Sequence, residues 1–479
     1  MKLMNKPIIA IAGIGYVGLS FAAVLSNVGY KVYALDVDER KIDLLKKGKA
    51  HFSEAGLDNL IQKGLEQSNL VPTTSYQEAL KDADIVFSCV GTPDLPDGSS
   101  NLEYIFQVAT QVAKFGKDGV ILVQKSTVPV GTGQQVIESI EKINPKLKFS
   151  YVSNPEFLAE GSAIYDTFVS DRVVVGGNDE NAIDKVVSIY SDIDVFGEKF
   201  KLDELSEFAY IYKSKKKKSC DFESTPVVRT TLESAELIKV TSNAFLSLKI
   251  SFANSIAKLC DKSGANIIEV MDGVGLDSRI GRSFLYAGRG YGGGCFPKDV
   301  SGLIRIAEKH GVKLPIMEAS VSVNSGMSEY IVSKIEDRDS GIEARSSKFE
   351  DRVSKLEGSR VGVLGITFKP GTSDVRKSPA VDIVNLLLKK GCEVVVYDPK
   401  GMEEAKEHLG ESVEWAESTE EVLEDCDIVC IATEWPEFIN FDYGRFSDKI
   451  SHKLIVDCQN RLDKKQVEGW GLKYMGVGR

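Results

Sequence analysis

No Cys-x-x-Cys pair occurs among the eight scattered cysteines of this 479-residue chain. Neither a zinc framework nor a disulfide scaffold is indicated. Positive charge is not in excess either: 59 basic residues stand against 70 acidic ones, a formal charge of −11. A nucleic acid would be repelled overall, although a local basic site for a diphosphate remains allowed. No apolar run is long enough to span a bilayer, and the short one near the N-terminus leads straight into a glycine turn. The expectation is a cytoplasmic protein without membrane, nucleic-acid or metal partners. The 43% of hydrophobic residues suffices, at this length, for two or three cores.

Ile8-Ile9-Ala10-Ile11-Ala12 is followed at once by Gly13-Ile14-Gly15-Tyr16-Val17-Gly18 and a helical pattern through Leu19, Ala22, Ala23 and Leu25. This reads as strand, turn and helix. A second strand, Lys31 to Leu35, ends at Asp36, where a carboxylate can accept from both ribose hydroxyls. Strand before, helix after and acid at this distance predict a dinucleotide site. The acid favours NAD over NADP, with Lys41 or Arg40 able to reach an adenosine phosphate.

The run Gly290-Tyr291-Gly292-Gly293-Gly294-Cys295-Phe296-Pro297-Lys298-Asp299 delivers one cysteine at the end of a glycine segment, where a helix is predicted to begin. Glycines permit φ > 0 and close approach to a ligand, and a thiol at a helix N-terminus is biased toward thiolate. Cys295 is thus a candidate nucleophile; a tight turn ending in a buried cysteine is the other reading. Ser153 to Gly161 carries Glu156 and Glu160 four residues apart, one helical turn if the segment coils, or a surface acid pair after an Asn-Pro turn. Ser234 to Phe245 opens a long helix with apolar spacing through Leu246, Ile250, Phe252 and Ile256, and places Lys239 and Asn243 on one face. Those two could be a solvated lysine beside a core stripe, or a cation and an amide that stabilise an oxyanion.

In these motifs, and in Gly91-Thr92-Pro93, Ser126-Thr127-Val128-Pro129-Val130-Gly131, Arg279-Ile280-Gly281 and Gly365 to Thr372, the chain closely resembles the nucleotide-sugar dehydrogenases, within them the UDP-glucose 6-dehydrogenase branch of the UDP-glucose/GDP-mannose dehydrogenase family. The resemblance implies oxidation of a sugar primary alcohol to a carboxylate with two NAD, through a thiohemiacetal and a thioester on Cys295. It implies Glu156 as base, Lys239 and Asn243 as oxyanion stabilisers, Asp299 as partner of a bound water or of Lys239, and Thr127 as an active-site hydroxyl. Cofactor contacts implied are Gly13, Gly15, Tyr16, Val17, Gly18, Asp36, Lys41, Thr92, Thr127, Glu160 and Arg376, the last also an interdomain candidate. Substrate contacts implied are Glu156, Phe157, Leu158, Glu160, Lys239, Asn243, Arg279, Phe284, Leu285, Tyr286, Gly288, Gly292 and Lys369, with Arg279 reaching a partner subunit's site. One departure stands out. After Ile455-Val456-Asp457 the family usually carries Gly-Arg, whose arginine binds substrate, and here Cys458-Gln459-Asn460 follows. Either Arg461 substitutes or the substrate is gripped differently, because glutamine lacks the guanidinium fork.

The expected fold is α/β: two Rossmann-like doubly wound domains joined by a central helical domain with a long connecting helix. Residues 1–200 form the NAD-binding domain, 201–228 a lysine-rich insertion, 229–330 the central domain with the cysteine and a dimer contact, 331–358 a charged connector and 359–479 the nucleotide-sugar domain. A homodimer or higher homo-oligomer is expected. Other readings are the same oxidation of UDP-N-acetylmannosamine, UDP-N-acetylglucosamine or GDP-mannose, a hydroxyacid dehydrogenase without a covalent intermediate, and a non-catalytic nucleotide-sugar-binding protein.

Overall fold

The structure, a computed structural model, describes residues 6–197, 225–338 and 355–479. The lysine run at 213–219 and most of the charged connector lie outside them. The chain divides into two compact units, Met1–Ser242 with Ser301–Lys309, and Asn243–Val300 with His310–Arg479.

The first unit is built on β1 (Ile9–Ala12), β2 (Val32–Leu35), β3 (Leu70–Thr73), β4 (Ile85–Ser88), β5 (Val120–Gln124), β6 (Phe149–Ser153), β7 (Val173–Gly177) and β8 (Val227–Thr230). They form one sheet in the order β3-β2-β1-β4-β5-β6-β7-β8. Strand β1 is apolar throughout because both faces are covered: Ile9 and Ile11 join one core with Leu19, Ala22 and Phe87, while Ala10 and Ala12 join another with Val86 and Leu122. The sheet is parallel except at one pairing, where β7 runs antiparallel to β6. An apolar run buried on both faces reports burial and not direction, so the sequence could not give this.

The second unit carries a six-stranded sheet, β11-β10-β9-β12-β13-β14, from β9 (Arg360–Leu364), β10 (Glu393–Tyr397), β11 (Glu414–Trp415), β12 (Ile428–Ile431), β13 (Leu454–Asp457) and β14 (Lys473–Met475), with every pairing parallel. In each sheet the strand order reverses beside the first strand, between β1 and β4 and between β9 and β12, which is where an open α/β sheet leaves a crevice for a nucleotide.

The unit boundaries fall inside two helices, Leu232–Ser263 and Phe296–Lys309. The first, 32 residues without an internal Gly or Pro, is about 48 Å long at 1.5 Å per residue. Among the described residues, no helix is long and apolar enough to cross a membrane.

Candidate active site

The turn after β1 explains its own glycines, save one. Gly13 has φ +90°, and a Cβ on it would stand 2.8 Å from the amide nitrogen of Val90, two residues past β4. A Cβ on Gly18 would collide with the Gly13 carbonyl oxygen. Gly15 is different: its φ is −67°, it caps helix Tyr16–Val28, and nothing lies within 4 Å of where its Cβ would be. Among the described residues no contact requires glycine there, whereas a pyrophosphate drawn against the helix N-terminus would. The site therefore fits a dinucleotide. Asp36, buried at the end of β2, accepts from the amides of Ile14 at 3.1 Å and Asp38 at 3.0 Å, and from Lys41 Nζ at 3.1 Å. Arg40 is turned to Asp38. The ring of Tyr16 packs on Phe52 at 4.0 Å, Val17 is half-buried beside it, and the Thr92 hydroxyl donates to the Thr127 carbonyl at 3.0 Å.

Glu156 and Lys239, predicted for different roles, are joined in the first unit. Lys239 Nζ stands 3.2 Å from Glu156 Oε1, with the side chains 5% and 11% exposed. Glu156 also accepts from the Leu158 amide, and the Phe157 ring lies between the Arg172 guanidinium at 3.6 Å and Lys239 Nζ at 5.3 Å. The segment carrying Glu156 and Glu160 does not coil: residues 154–159 are irregular after Pro155, so the two acids are not stacked on one turn. Two acids, the half-buried Glu54 and the buried Asp166, hold this loop instead. Glu54 accepts from the Gly161 amide at 3.0 Å and Asp166 from the Ala159 amide at 2.8 Å. Burial pushes the Glu54 carboxyl up to about 7, against the opposing pull of three backbone amides.

In the second unit, Asn243 Nδ2 donates to Asp299 Oδ2 at 2.5 Å, and Lys298 pairs with the other oxygen at 2.8 Å. Asp299 is one turn into the helix that opens after Cys295, its amide bonding the Cys295 carbonyl at 2.9 Å. Among the described residues Cys295 is the exposed cysteine; Cys89, Cys260, Cys392, Cys426, Cys430 and Cys458 are buried. The glycines before it are pressed against residues 368–379 of the same unit. A Cβ on Gly292 would collide with the Lys377 carbonyl, one on Gly293 would be 2.8 Å from the Phe368 ring, and one on Gly294 2.8 Å from the Arg376 guanidinium. Arg376 itself pairs with Asp374 at 2.6 Å.

Upstream, Phe284 adopts φ +66° with its ring 6.1 Å from Phe296, and Leu285 is buried. Tyr286 is flanked by the guanidinium groups of Arg282 at 4.8 Å and Arg461 at 5.2 Å. Gly288 lies against Gln459, whose amide donates to Glu434 at 3.1 Å; Arg461 stands 3.9 Å from the same carboxylate. Lys369 lies over the Phe368 ring at 5.5 Å, and Arg279 is paired with Asp277 on its own exposed loop.

Sequence reasoning passed over the residues that hold the glycine loop. Arg289, 1% exposed, donates to the carbonyls of Thr367 at 3.0 Å and Phe368 at 2.9 Å, and the Asn324 side chain bonds both the amide and the carbonyl of Tyr291. A lone arginine in a glycine run was the available signal.

Three domain models match in order: the NAD-binding domain of the UDP-glucose/GDP-mannose dehydrogenase family over residues 7–194, its central domain over 233–326 and its UDP-binding domain over 362–464. A UDP-glucose 6-dehydrogenase of Rhizobium meliloti is 38% identical over 98% of this chain and 99% of its own length, and one of Bacillus subtilis is 36% identical over 98% and 93%. Among solved structures, a UDP-glucose dehydrogenase from Pyrobaculum islandicum is similar with TM-score 0.85 and 34% identity, covering 100% of this chain and 99% of that one.

Proposed function

Since the chain belongs to the UDP-glucose/GDP-mannose dehydrogenase family and is an NAD-dependent nucleotide-sugar dehydrogenase, we propose that it oxidises the C6 alcohol of UDP-glucose to the carboxylate in two steps through a covalent bond to Cys295. The observation that carries this is the exposed Cys295 thiol at the head of a helix, ending a loop whose glycines are fixed by close packing. A thiol in that place is favoured as thiolate by the helix N-terminus. The glucose assignment is supported by two relatives named UDP-glucose 6-dehydrogenase that align over nearly their whole length.

NAD, when bound, accepts the hydride in each oxidation. Once C6 is an aldehyde, the Cys295 sulfur adds to it and the carbonyl oxygen becomes the hydroxyl of a thiohemiacetal, so the reactive species stays attached. Loss of the remaining C6 hydride and of the hydroxyl proton leaves the thioester. Water then adds to the thioester carbon, its proton passing to Glu156, and the C–S bond breaks to give the carboxylate and the thiol. Lys239, paired to Glu156, stabilises the oxygen anion that forms at C6, and Asn243, oriented by Asp299, donates to the same oxygen. Asp36 and Gly15 hold the ribose and pyrophosphate ends of the cofactor.

The chain acts as a homodimer in this account, through the long helix. Phe245, Phe252 and Leu259 recur every seven residues on it and are 58%, 48% and 61% exposed, a spacing that suits an antiparallel partner helix. The sugar is tested by kcat/KM on a panel of UDP-glucose, UDP-N-acetylmannosamine, UDP-N-acetylglucosamine and GDP-mannose. The account predicts UDP-glucose to lead by at least about tenfold; a lead by either N-acetyl sugar would reassign the substrate and leave the chemistry standing.

A further inference from the structure

Glu236 is a buried acid, 2% exposed, on the long helix one turn before Lys239, and the chemistry above does not use it. Its two oxygens accept from the amides of Gly131 and Gly133 at 2.7 Å each, at the first turn of helix Thr132–Ile143. The junction is tight: a Cβ on Gly133 would lie 2.8 Å from Tyr151 Cε1 and 3.1 Å from Glu236 Oε1. Burying a carboxylate is costly, and here burial pushes the group up to about 7 although both amides oppose the rise. A serine or aspartate in the local chain would satisfy the same amides while remaining hydrated. What Glu236 adds over such a cap is a tie between two segments separated by more than a hundred positions.

One of those segments is the stretch from Ser126 to Gly131, which carries Thr127. Its front is fastened to β4 and the residues after it: the Ser126 hydroxyl donates to the Val90 carbonyl at 2.7 Å, and the Thr92 hydroxyl to the Thr127 carbonyl at 3.0 Å. Its rear turns through Gly131 at φ +88° and is closed by the Thr132 hydroxyl on the Pro129 carbonyl at 2.6 Å. Glu236 anchors that rear end. The other segment is the helical turn that presents Lys239 to Glu156.

We propose that Glu236 is a positioning residue, holding the Thr127 segment in fixed register with the turn that carries Lys239. The inference rests on the reading of Thr127 and Lys239 as parts of the reacting site. Glu236→Gln and Gly133→Ala disturb the junction from its two sides, the first by turning an amide N–H toward a backbone N–H, the second by inserting a methyl group. Each is expected to lower kcat roughly 10- to 100-fold, the cost of a misplacement near 1 Å, while the Kd for NADH by fluorescence titration stays within about threefold. Since both act on one contact, the double variant is expected to be about as slow as the slower single variant.

Multiplicative losses in the double variant would overturn the proposal. So would a lowered Tm with an unchanged kcat per folded molecule, the mark of a purely structural tie. If Glu236→Gln does not fold, Gly133→Ala decides alone, and an unchanged kcat there refutes it. Lys239→Met run alongside separates the two layers: a wild-type rate in that variant removes the site reading, whereas a slow Lys239→Met beside a fast Glu236→Gln removes only the role of Glu236.

Discussion

Replacing Lys239 by methionine keeps the apolar stem and removes the ammonium that stands 3.2 Å from Glu156 in a site where the two side chains are 5% and 11% exposed. Removing one partner of a buried pair costs about 3–5 kcal/mol, because the surviving charge is left without its counter-charge. Glu156 keeps the Leu158 amide as a donor, which puts the expected loss at the lower end, about 3 kcal/mol. For a folding unit of this size that corresponds to a melting shift of about 6–12 °C. Glu156→Gln added to the same chain removes the stranded charge, so the double variant should lose less stability than the sum of the two singles by roughly 2 kcal/mol. Activity should behave differently. Each single variant should lose roughly 10²–10⁴ in kcat, and the double should not recover, because the chemistry needs both groups. Calorimetry and initial rates of NADH formation on the four proteins test both halves. Additive stability losses, or a wild-type rate in either single variant, would refute the reasoning.

Gly15→Ala is expected to leave Tm within about 1 °C, because its Cβ meets no atom of the described residues, and to weaken NADH binding at least about tenfold, because under the proposed use of the turn the methyl group would stand where the pyrophosphate approaches the helix N-terminus; unchanged binding would refute this use of the turn. Gly18→Ala, whose Cβ collides with the Gly13 carbonyl, should instead lower Tm. Phe245→Glu combined with Phe252→Glu should convert a dimer into monomers in sedimentation velocity, and an unchanged oligomer would remove the long helix from the interface. Glu54 supplies a pH test. Burial raises its folded value to about 7 from an ordinary 4.5, so its stabilisation is complete below the ordinary value and is lost as pH rises through about 7, a change of roughly 3 kcal/mol. Glu54→Gln should flatten the fall of Tm between about pH 5 and pH 8; an unaltered slope would contradict the assignment.

Local features of this protein were legible in its sequence, and couplings across the chain were not. Strand, glycine turn, helix and terminal acid are neighbours in sequence, so the motif from Gly13 to Asp36 could be read directly, as could the helix that opens after Cys295. The ion pair of Glu156 with Lys239 and the bond of Asn243 to Asp299 could not, because periodicity says which face a residue occupies and nothing about what meets it. The same limit hid Glu236, because the buried side of its helix is lined by Lys239, Asn243, Ser247, Ser251 and Asn254 as well as by apolar residues. The glycines were read as room for a ligand. At Gly15 no described residue meets an added Cβ, but Gly292 and Gly294 are small because Lys377 and Arg376 of the same chain press on them. Helix formation at Glu156 to Glu160 was overridden by Pro155 and by loop contacts from Glu54 and Asp166.

The central claim is covalent catalysis at Cys295, and counting NADH formed per UDP-glucose consumed, with Cys295→Ser beside the wild type, tests it most directly. The account predicts two NADH per sugar in the wild type and loss of that turnover in the variant. One NADH per sugar, with the variant unaffected, would contradict it and leave Cys295 a structural residue.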